Sequence, residues 1–137
     1  SVTTEKFYGD GFVLTGNVTE FLDPVFSSGV TLAVSSSQLA AHLVGRQLAK
    51  GEKIDWQKEY FETMMQGVDT FRTYVNAWYD GTLQTIFFAP TTTQSIKNQI
   101  CSVLAGYVWD TDNPFVKKHS TAVATLAKVI SYETVES

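Results

Sequence analysis

The residues with the clearest chemical potential lie in one short stretch near the start of the chain. Within residues 16–33 a β-prone run ends in glycine, an Asp23-Pro24 step follows, and Ser28-Gly29 opens an alanine-rich helix. Backbone N–H groups at a helix start carry partial positive charge and have no partner inside the helix. A glycine among them lets another group approach closely. The stretch could therefore bind an anion, although hydrophobic periodicity alone favours an ordinary capped helix start.

The hydrophobic pattern predicts the elements that must position these residues. Residues 12–15 form a short β-prone run, with a weak partner run at Phe7-Tyr8, and residues 17–28 have the composition of a loop. Residues 29–50 have helical periodicity, which ends at Gly51. Asp55 is suited to capping a second helix. That helix carries an aromatic and aliphatic stripe that is more typical of a core than of a cofactor site: Trp56, Tyr60, Met64, Val68, Phe71, Val75 and Trp78.

Two further helices follow in the second half of the chain. Threonines at 91–93 precede one of them, and Asn113-Pro114 is a start signal for the other. Residues 82–90 are very apolar and fit either a short helix or extended chain. The sequence therefore predicts a mainly α fold of about four helices, with one short N-terminal strand or hairpin.

Composition limits the class of protein. The chain has 137 residues, of which 44% are hydrophobic and 18% charged, with a net charge of −4. The acidic balance argues against nucleic-acid binding. No apolar run approaches the roughly 18 residues of a membrane span. The sole cysteine, Cys101, excludes an intramolecular disulfide and fits a reducing compartment, so we expect a cytoplasmic protein.

The low number of charged residues and the high number of aromatic residues indicate an apolar surface that a partner or another part of the protein would bury. Charged residues are fewer than the average of about 25%, and the chain holds nine Phe, six Tyr and three Trp. It begins at Ser1 and enters a strand almost at once. We therefore expect a piece of a larger protein, which docks on a missing N-terminal portion or self-associates as a homo-oligomer.

One stretch resembles a known flavin motif. Residues 21–30, Phe-Leu-Asp-Pro-Val-Phe-Ser-Ser-Gly-Val, match without a gap the carboxyl-proximal flavin motif of the flavin-dependent halogenase family. Similar pieces at residues 67–71, 77–81 and 101–110 extend the resemblance over most of the chain. It implies a C-terminal fragment of an α/β FAD-binding, monooxygenase-like fold. Residues 8–31 would then be the strand, flavin-contacting loop and helix start, and residues 32–137 a helical region.

The resemblance also implies site residues by position. Asn17, where the family usually has Asp, would lie beside the ribityl or pyrophosphate part of FAD, and Thr19-Glu20 replaces the usual Ala-Gly. The N–H groups of the helix start would face the N1–C2=O edge of the flavin ring, and Ser28 and Gly29 would also hold a halide. The implied cofactor-binding set is Asn17, Phe21, Asp23, Pro24, Ser28, Gly29, Val30 and Thr31.

The implied function is that of an FAD-dependent oxidoreductase, in which reduced FAD and oxygen act on a halide or on a small aromatic or carrier-bound substrate. No Gly-x-Gly-x-x-Gly fingerprint follows a strand in this sequence, so the ADP half of FAD has no site in it. The family's catalytic lysine and its Trp-x-Trp-x-Ile-Pro signature would likewise lie upstream, and the fragment alone is expected to be inactive. The same scaffold serves hydroxylases and dehydrogenases. A helical binding module without catalysis is the alternative of a different class.

Other candidate residues predict structural roles. His42 and His119 are far apart in the sequence and lack a second ligand at metal spacing. Asp110 and Asp112 are more typical of a turn than of a cation site. Cys101 lies on an apolar helix, which favours a buried, inert thiol.

Overall fold

Helices dominate the computed structural model, which describes residues 2–135. The mainly α fold expected from the sequence is confirmed. Within the described residues there are six α-helices where about four were expected, because the ambiguous residues 82–90 contain a helix and the last helix is divided in two. The helices are α1 (Ser28–Lys50), α2 (Thr63–Tyr79), α3 (Thr82–Phe88), α4 (Gln94–Leu104), α5 (Pro114–Lys117) and α6 (His119–Val135).

Four very short strands pair near the beginning of the chain. Strands β2 (Tyr8–Gly9) and β3 (Phe12–Val13) form an antiparallel hairpin. Strands β1 (Val2–Thr3) and β4 (Glu20–Phe21) form a second antiparallel pair. The hairpin continues through the Leu14 N–H, which donates to the Phe7 carbonyl at 2.7 Å. The expected strand therefore finds its partner in the weak run before it.

The described chain divides into two compact units, one within residues 2–68 and the other within residues 69–135. The first unit contains the strands, α1 and the start of the second long helical segment. Its core consists of large apolar side chains from the helices and from residues next to the strands, namely Phe7, Leu22, Leu32, Leu43, Tyr60, Met64 and Val68. The division into a flavin-contacting part, 8–31, and a helical part, 32–137, stays a prediction, and residues 136 and 137 lie outside the described chain.

The second long helical segment begins with a wider turn than an α-helix. Asp55 Oδ1 accepts the Lys58 N–H at 3.1 Å, as expected of a helix cap. A π-helix then runs over Gln57–Glu62 before α2 begins. Residues of the stripe in this region recur every fourth position, a spacing longer than the 3.6-residue turn of an α-helix. The π-helical turn accommodates that spacing and places Tyr60 in the core.

The second unit is held by helix caps and by a buried tyrosine. Asn113 accepts the Phe115 N–H at 2.9 Å and donates to the Gln99 carbonyl at 2.9 Å. The start signal is thus confirmed, but Lys118 leaves the helical conformation and separates α5 from α6. Tyr74 donates to the Phe115 carbonyl at 2.8 Å, and burial raises the pKa of its hydroxyl. Within residues 2–135 no helix combines the length and apolar character that a membrane crossing requires.

Two leucines on α1 test the assignment of the core. Leu43 is 2% exposed and Leu48 is 79% exposed. We expect Leu43→Ala to lower the free energy of unfolding by about 2–5 kcal/mol, because it leaves a cavity. Leu48→Ala, the matched control on the same helix, should change it by less than about 0.5 kcal/mol. Urea unfolding followed by circular dichroism measures both, and equal losses would contradict the packing of α1.

Candidate functional site

The residue before α1 does not cap its first turn. Ser27 precedes it in the left-handed conformation, with φ 53° and ψ 30°, after a 3₁₀ turn over Pro24–Phe26. Ser27 makes no side-chain hydrogen bond to the helix start, and the first turn contains no acidic residue. Capping side chains normally satisfy one of the free N–H groups at this position. The partial positive charge at the start of α1 is therefore balanced neither by a Ser27 hydrogen bond nor by an acidic residue of the first turn.

Ser28 is a buried polar residue at the same helix start. The residue is 1% exposed, and its Oγ atom has no hydrogen-bond partner among the residues that the structure describes. Leaving a buried hydroxyl unsatisfied costs about 1–3 kcal/mol. Such an atom is a candidate contact for a ligand.

Gly29 lies directly beside Asn17. A Cβ atom built on Gly29 would stand 3.2 Å from Asn17 Oδ1, closer than an ordinary van der Waals contact. Gly29 does not have a positive φ; in this region the left-handed residues are Gly16 and Ser27. The missing side chain at Gly29 therefore makes room for the Asn17 amide, and two residues that were predicted to contact the cofactor lie together.

The turn that carries Asn17 packs closely on α1. Gly16 has φ 68°, and a Cβ on it would lie 3.5 Å from the Ala33 side chain. The Gly16 N–H donates to Ser36 Oγ at 2.9 Å. Thr19 closes the turn from its other end, since its hydroxyl donates to the Gly16 carbonyl at 2.6 Å. The replacement of Ala by Thr at this position thus supplies a hydrogen bond inside the loop.

Tyr60 supports the chain just before this turn. Its hydroxyl donates to the Leu14 carbonyl, and the residue is fully buried. Burial raises the pKa of Tyr60 to about 12. Tyr60 therefore remains protonated, and able to donate, throughout the physiological pH range.

The other predicted site residues surround the helix start. Phe21 lies in β4 with its side chain half exposed, and Val30 is 70% exposed on α1. Asp23 and Pro24 form the beginning of the 3₁₀ turn that leads to Ser27, and Thr31 lies in the first turn of α1. A flavin or halide contact by any of these residues stays a prediction.

Sequence reasoning missed the residues that hold the loop in place, Thr19, Ser36 and Tyr60. Ser36 is the middle of three consecutive serines on α1, and its exposure of only 1% is not visible in the sequence. Tyr60 belongs to the predicted core stripe, but only the structure shows that its hydroxyl reaches residue 14.

The other candidate residues from the sequence lie outside this region. The expectation for Cys101 is wrong, because its thiol lies on the exposed side of α4. Asp110 accepts the Asp112 N–H at 3.1 Å, as in an ordinary turn. His119 Nδ1 lies 2.6 Å from the Thr73 hydroxyl. Within residues 2–135 no group of His, Cys, Asp and Glu side chains could hold a metal ion.

Comparisons with known proteins agree on one group of relatives. Over 72 residues, 53% of this chain and 15% of the relative, the chain is 36% identical to the 1H-pyrrole-2-carbonyl-[peptidyl-carrier protein] chlorinase of Pseudomonas fluorescens. It is 57% identical to a flavoprotein/dehydrogenase of known structure from Cytophaga hutchinsonii, with a TM-score of 0.90 over 96% of this chain and 32% of that chain. No family model matches.

The chain is thus similar to part of a chlorinase and to part of a flavoprotein/dehydrogenase. These likenesses support the resemblance of residues 21–30 to the flavin-dependent halogenase family. It spans less than a third of the length of the relatives it matches.

The raised pKa of Tyr60 predicts a dependence of stability on alkaline pH. A folded-state pKa of about 12, above the ordinary value of 10.0, means that the folded protein keeps this proton longer than the unfolded chain does. The contribution is complete below about pH 10 and is lost as the pH rises towards about 12. The free energy of unfolding from urea titrations should fall over this range, and less steeply in Tyr60→Phe. Part of the slope should remain, because burial also raises the pKa of Tyr74. An unchanged slope in Tyr60→Phe would contradict the burial of this hydroxyl.

Proposed function

We propose that this chain is the flavin-facing part of a longer FAD-dependent, halogenase-like oxidoreductase, with the start of α1 directed at the flavin ring. The observation that carries the proposal is the uncapped first turn of α1, where the buried Ser28 hydroxyl has no partner within the described residues. The motif at residues 21–30 and the likeness to a flavoprotein/dehydrogenase support the same conclusion.

The residues present fit a flavin ring at this position. An electron-rich ring edge would accept hydrogen bonds from the free N–H groups of α1 and from the Ser28 hydroxyl. Gly29 presents no side chain toward that edge, and the Asn17 amide beside it offers both a donor and an acceptor. A neutral Asn at position 17 keeps these hydrogen bonds without adding negative charge next to the cofactor.

Bound FAD would supply the two-electron redox chemistry, and the chain would supply its electrostatic setting. Fixed N–H groups at a helix start stabilise negative charge where it develops, because they need not reorient when the charge appears. The backbone at Ser28 and Gly29 could hold a halide by the same attraction. The nearby 3₁₀ turn over Pro24–Phe26 keeps the approach to α1 rigid, since proline restricts the backbone.

Two chemistries are candidates for the complete protein. The chlorinase relative is named for a pyrrole-2-carbonyl group on a peptidyl-carrier protein, which favours halide oxidation and a carrier-bound or small aromatic substrate. The second relative is named a flavoprotein/dehydrogenase, and its higher identity of 57% favours direct oxidation of an organic substrate. Oxygen consumption by the complete protein, measured with and without chloride, separates the two.

Exposed apolar residues near the site support a further polypeptide as the partner. Val18, Phe21, Val30 and Val34 are each at least half exposed. In our proposal these side chains pack against the portion that binds the ADP half of FAD. Self-association and a cytoplasmic location stay predictions. A binding module without catalysis remains the alternative, and it would leave this apolar surface for another protein.

The isolated chain should not hold FAD on its own, because the sequence contains no fingerprint for the dinucleotide phosphates. Titration followed by flavin fluorescence should show no saturable binding in the micromolar range, which corresponds to about −8 kcal/mol. A tight one-to-one complex would contradict the division of the cofactor between two portions.

A pair of glycine substitutions on α1 tests the flavin site in the complete protein. Gly29→Val should abolish flavin binding or turnover, because the added side chain would displace Asn17 and block the ring edge. Gly45→Val is the matched control, since a Cβ at Gly45 meets nothing within 4 Å. Flavin content and oxygen consumption should both be normal in the control. Normal flavin occupancy and rate in Gly29→Val would refute the proposed function.

A further inference from the structure

We propose that Ser36 and Tyr60 are positioning residues that hold the Asn17 amide over the start of α1. One consequence rests on the proposed function: the two residues would tune the flavin site without touching the flavin. The hydrogen bonds that carry it are present in this chain itself.

Ser36 joins the loop to the helix. It is 1% exposed, accepts the Gly16 N–H at 2.9 Å, and lies 3.2 Å from the Ala33 carbonyl, to which its hydroxyl donates. Gly16 is the residue immediately before Asn17. Without the Ser36 hydroxyl, this buried N–H would lose its partner, which costs about 1–3 kcal/mol and favours movement of the turn.

The contacts of the turn along α1 determine the position of Asn17. Gly29, Ala33 and Ser36 share one face of α1, because they are separated by four and then three residues. Ser36 holds Gly16 about 10 Å along the helix from Gly29, at a rise of roughly 1.5 Å per residue. The turn then runs back along that face, with Gly16 against Ala33 and Asn17 against Gly29. All three contacts lie on one rigid element.

Tyr60 fixes the other side of the same turn. Its hydroxyl donates to the carbonyl of Leu14, two residues before Gly16. Tyr60 lies in the middle of the π-helical segment Gln57–Glu62. Such segments are rare and occur frequently at functional sites. Tyr60 thus binds the Leu14 carbonyl and Ser36 binds the Gly16 N–H. These two backbone groups lie where the strand hairpin ends and the turn begins.

The experiment compares four single variants of the flavin-free chain by two-dimensional NMR and amide hydrogen exchange. In Ser36→Ala, exchange at Gly16 should quicken at least tenfold, and the Asn17 side-chain amide and Gly29 N–H resonances should shift. Tyr60→Phe should shift the same two resonances. Ser37→Ala, an exposed neighbour on α1, and Tyr132→Phe, which is 74% exposed, should leave them in place.

Different results would refute the positioning role of Ser36 and Tyr60 and the proposed flavin function. Unchanged Asn17 and Gly29 resonances in Ser36→Ala would overturn the positioning role. If Ser36→Ala does not fold, unchanged resonances in Tyr60→Phe would overturn it instead. In the complete protein, Ser36→Ala should alter the flavin absorption spectrum while Ser37→Ala does not. An altered Asn17 with an unaltered flavin spectrum would refute the tuning role, whereas absence of flavin from the unsubstituted complete protein would refute the proposed function alone.

Discussion

The close approach of the Gly16 turn to α1 is the constraint on which the site depends. A backbone N–H that is buried against a helix needs a partner, and the helix cannot supply one from its own satisfied backbone. The Ser36 hydroxyl provides it, and small residues on the same helical face leave the turn room to lie flat. Two contacts follow from this one bond: Gly16 against Ala33 and Asn17 against Gly29.

The loop is held in place by hydrogen bonds from several parts of the chain. Thr19 closes the turn through the Gly16 carbonyl, and its own carbonyl accepts the Thr4 N–H at 2.9 Å. The Tyr60 hydroxyl donates to the Leu14 carbonyl at the start of the turn. A binding loop that is held by buried hydrogen bonds loses little conformational entropy when a ligand arrives, which favours tight and well-oriented binding. The left-handed Ser27 then directs the chain into α1 and leaves the first turn of that helix uncapped.

Much of this arrangement could be predicted from local signals. The start and end of α1, the cap at Asn113 and the hairpin at residues 8–13 follow from glycine, proline and capping chemistry, and the structure confirms them. The flavin motif at residues 21–30 indicated the same kind of relative that the comparisons found, because ten consecutive matches are highly specific. Local signals failed where a helix changes character. The π-helical turn over Gln57–Glu62 and the break at Lys118 were not predicted, and the exposure of Cys101 depends on the side of α4 that faces the core.

The sequence by itself determined the class of fold, the position of the candidate flavin loop and the absence of a dinucleotide fingerprint, because each is a property of neighbouring residues. Only the tertiary structure decided which polar residues serve that loop. Ser36 is indistinguishable from Ser35 and Ser37 until α1 packs, and Tyr60 resembles any other member of an apolar stripe until its hydroxyl meets Leu14. The physical reason is that a hydrogen bond depends on distance and direction in space, whereas periodicity specifies only the face of a helix.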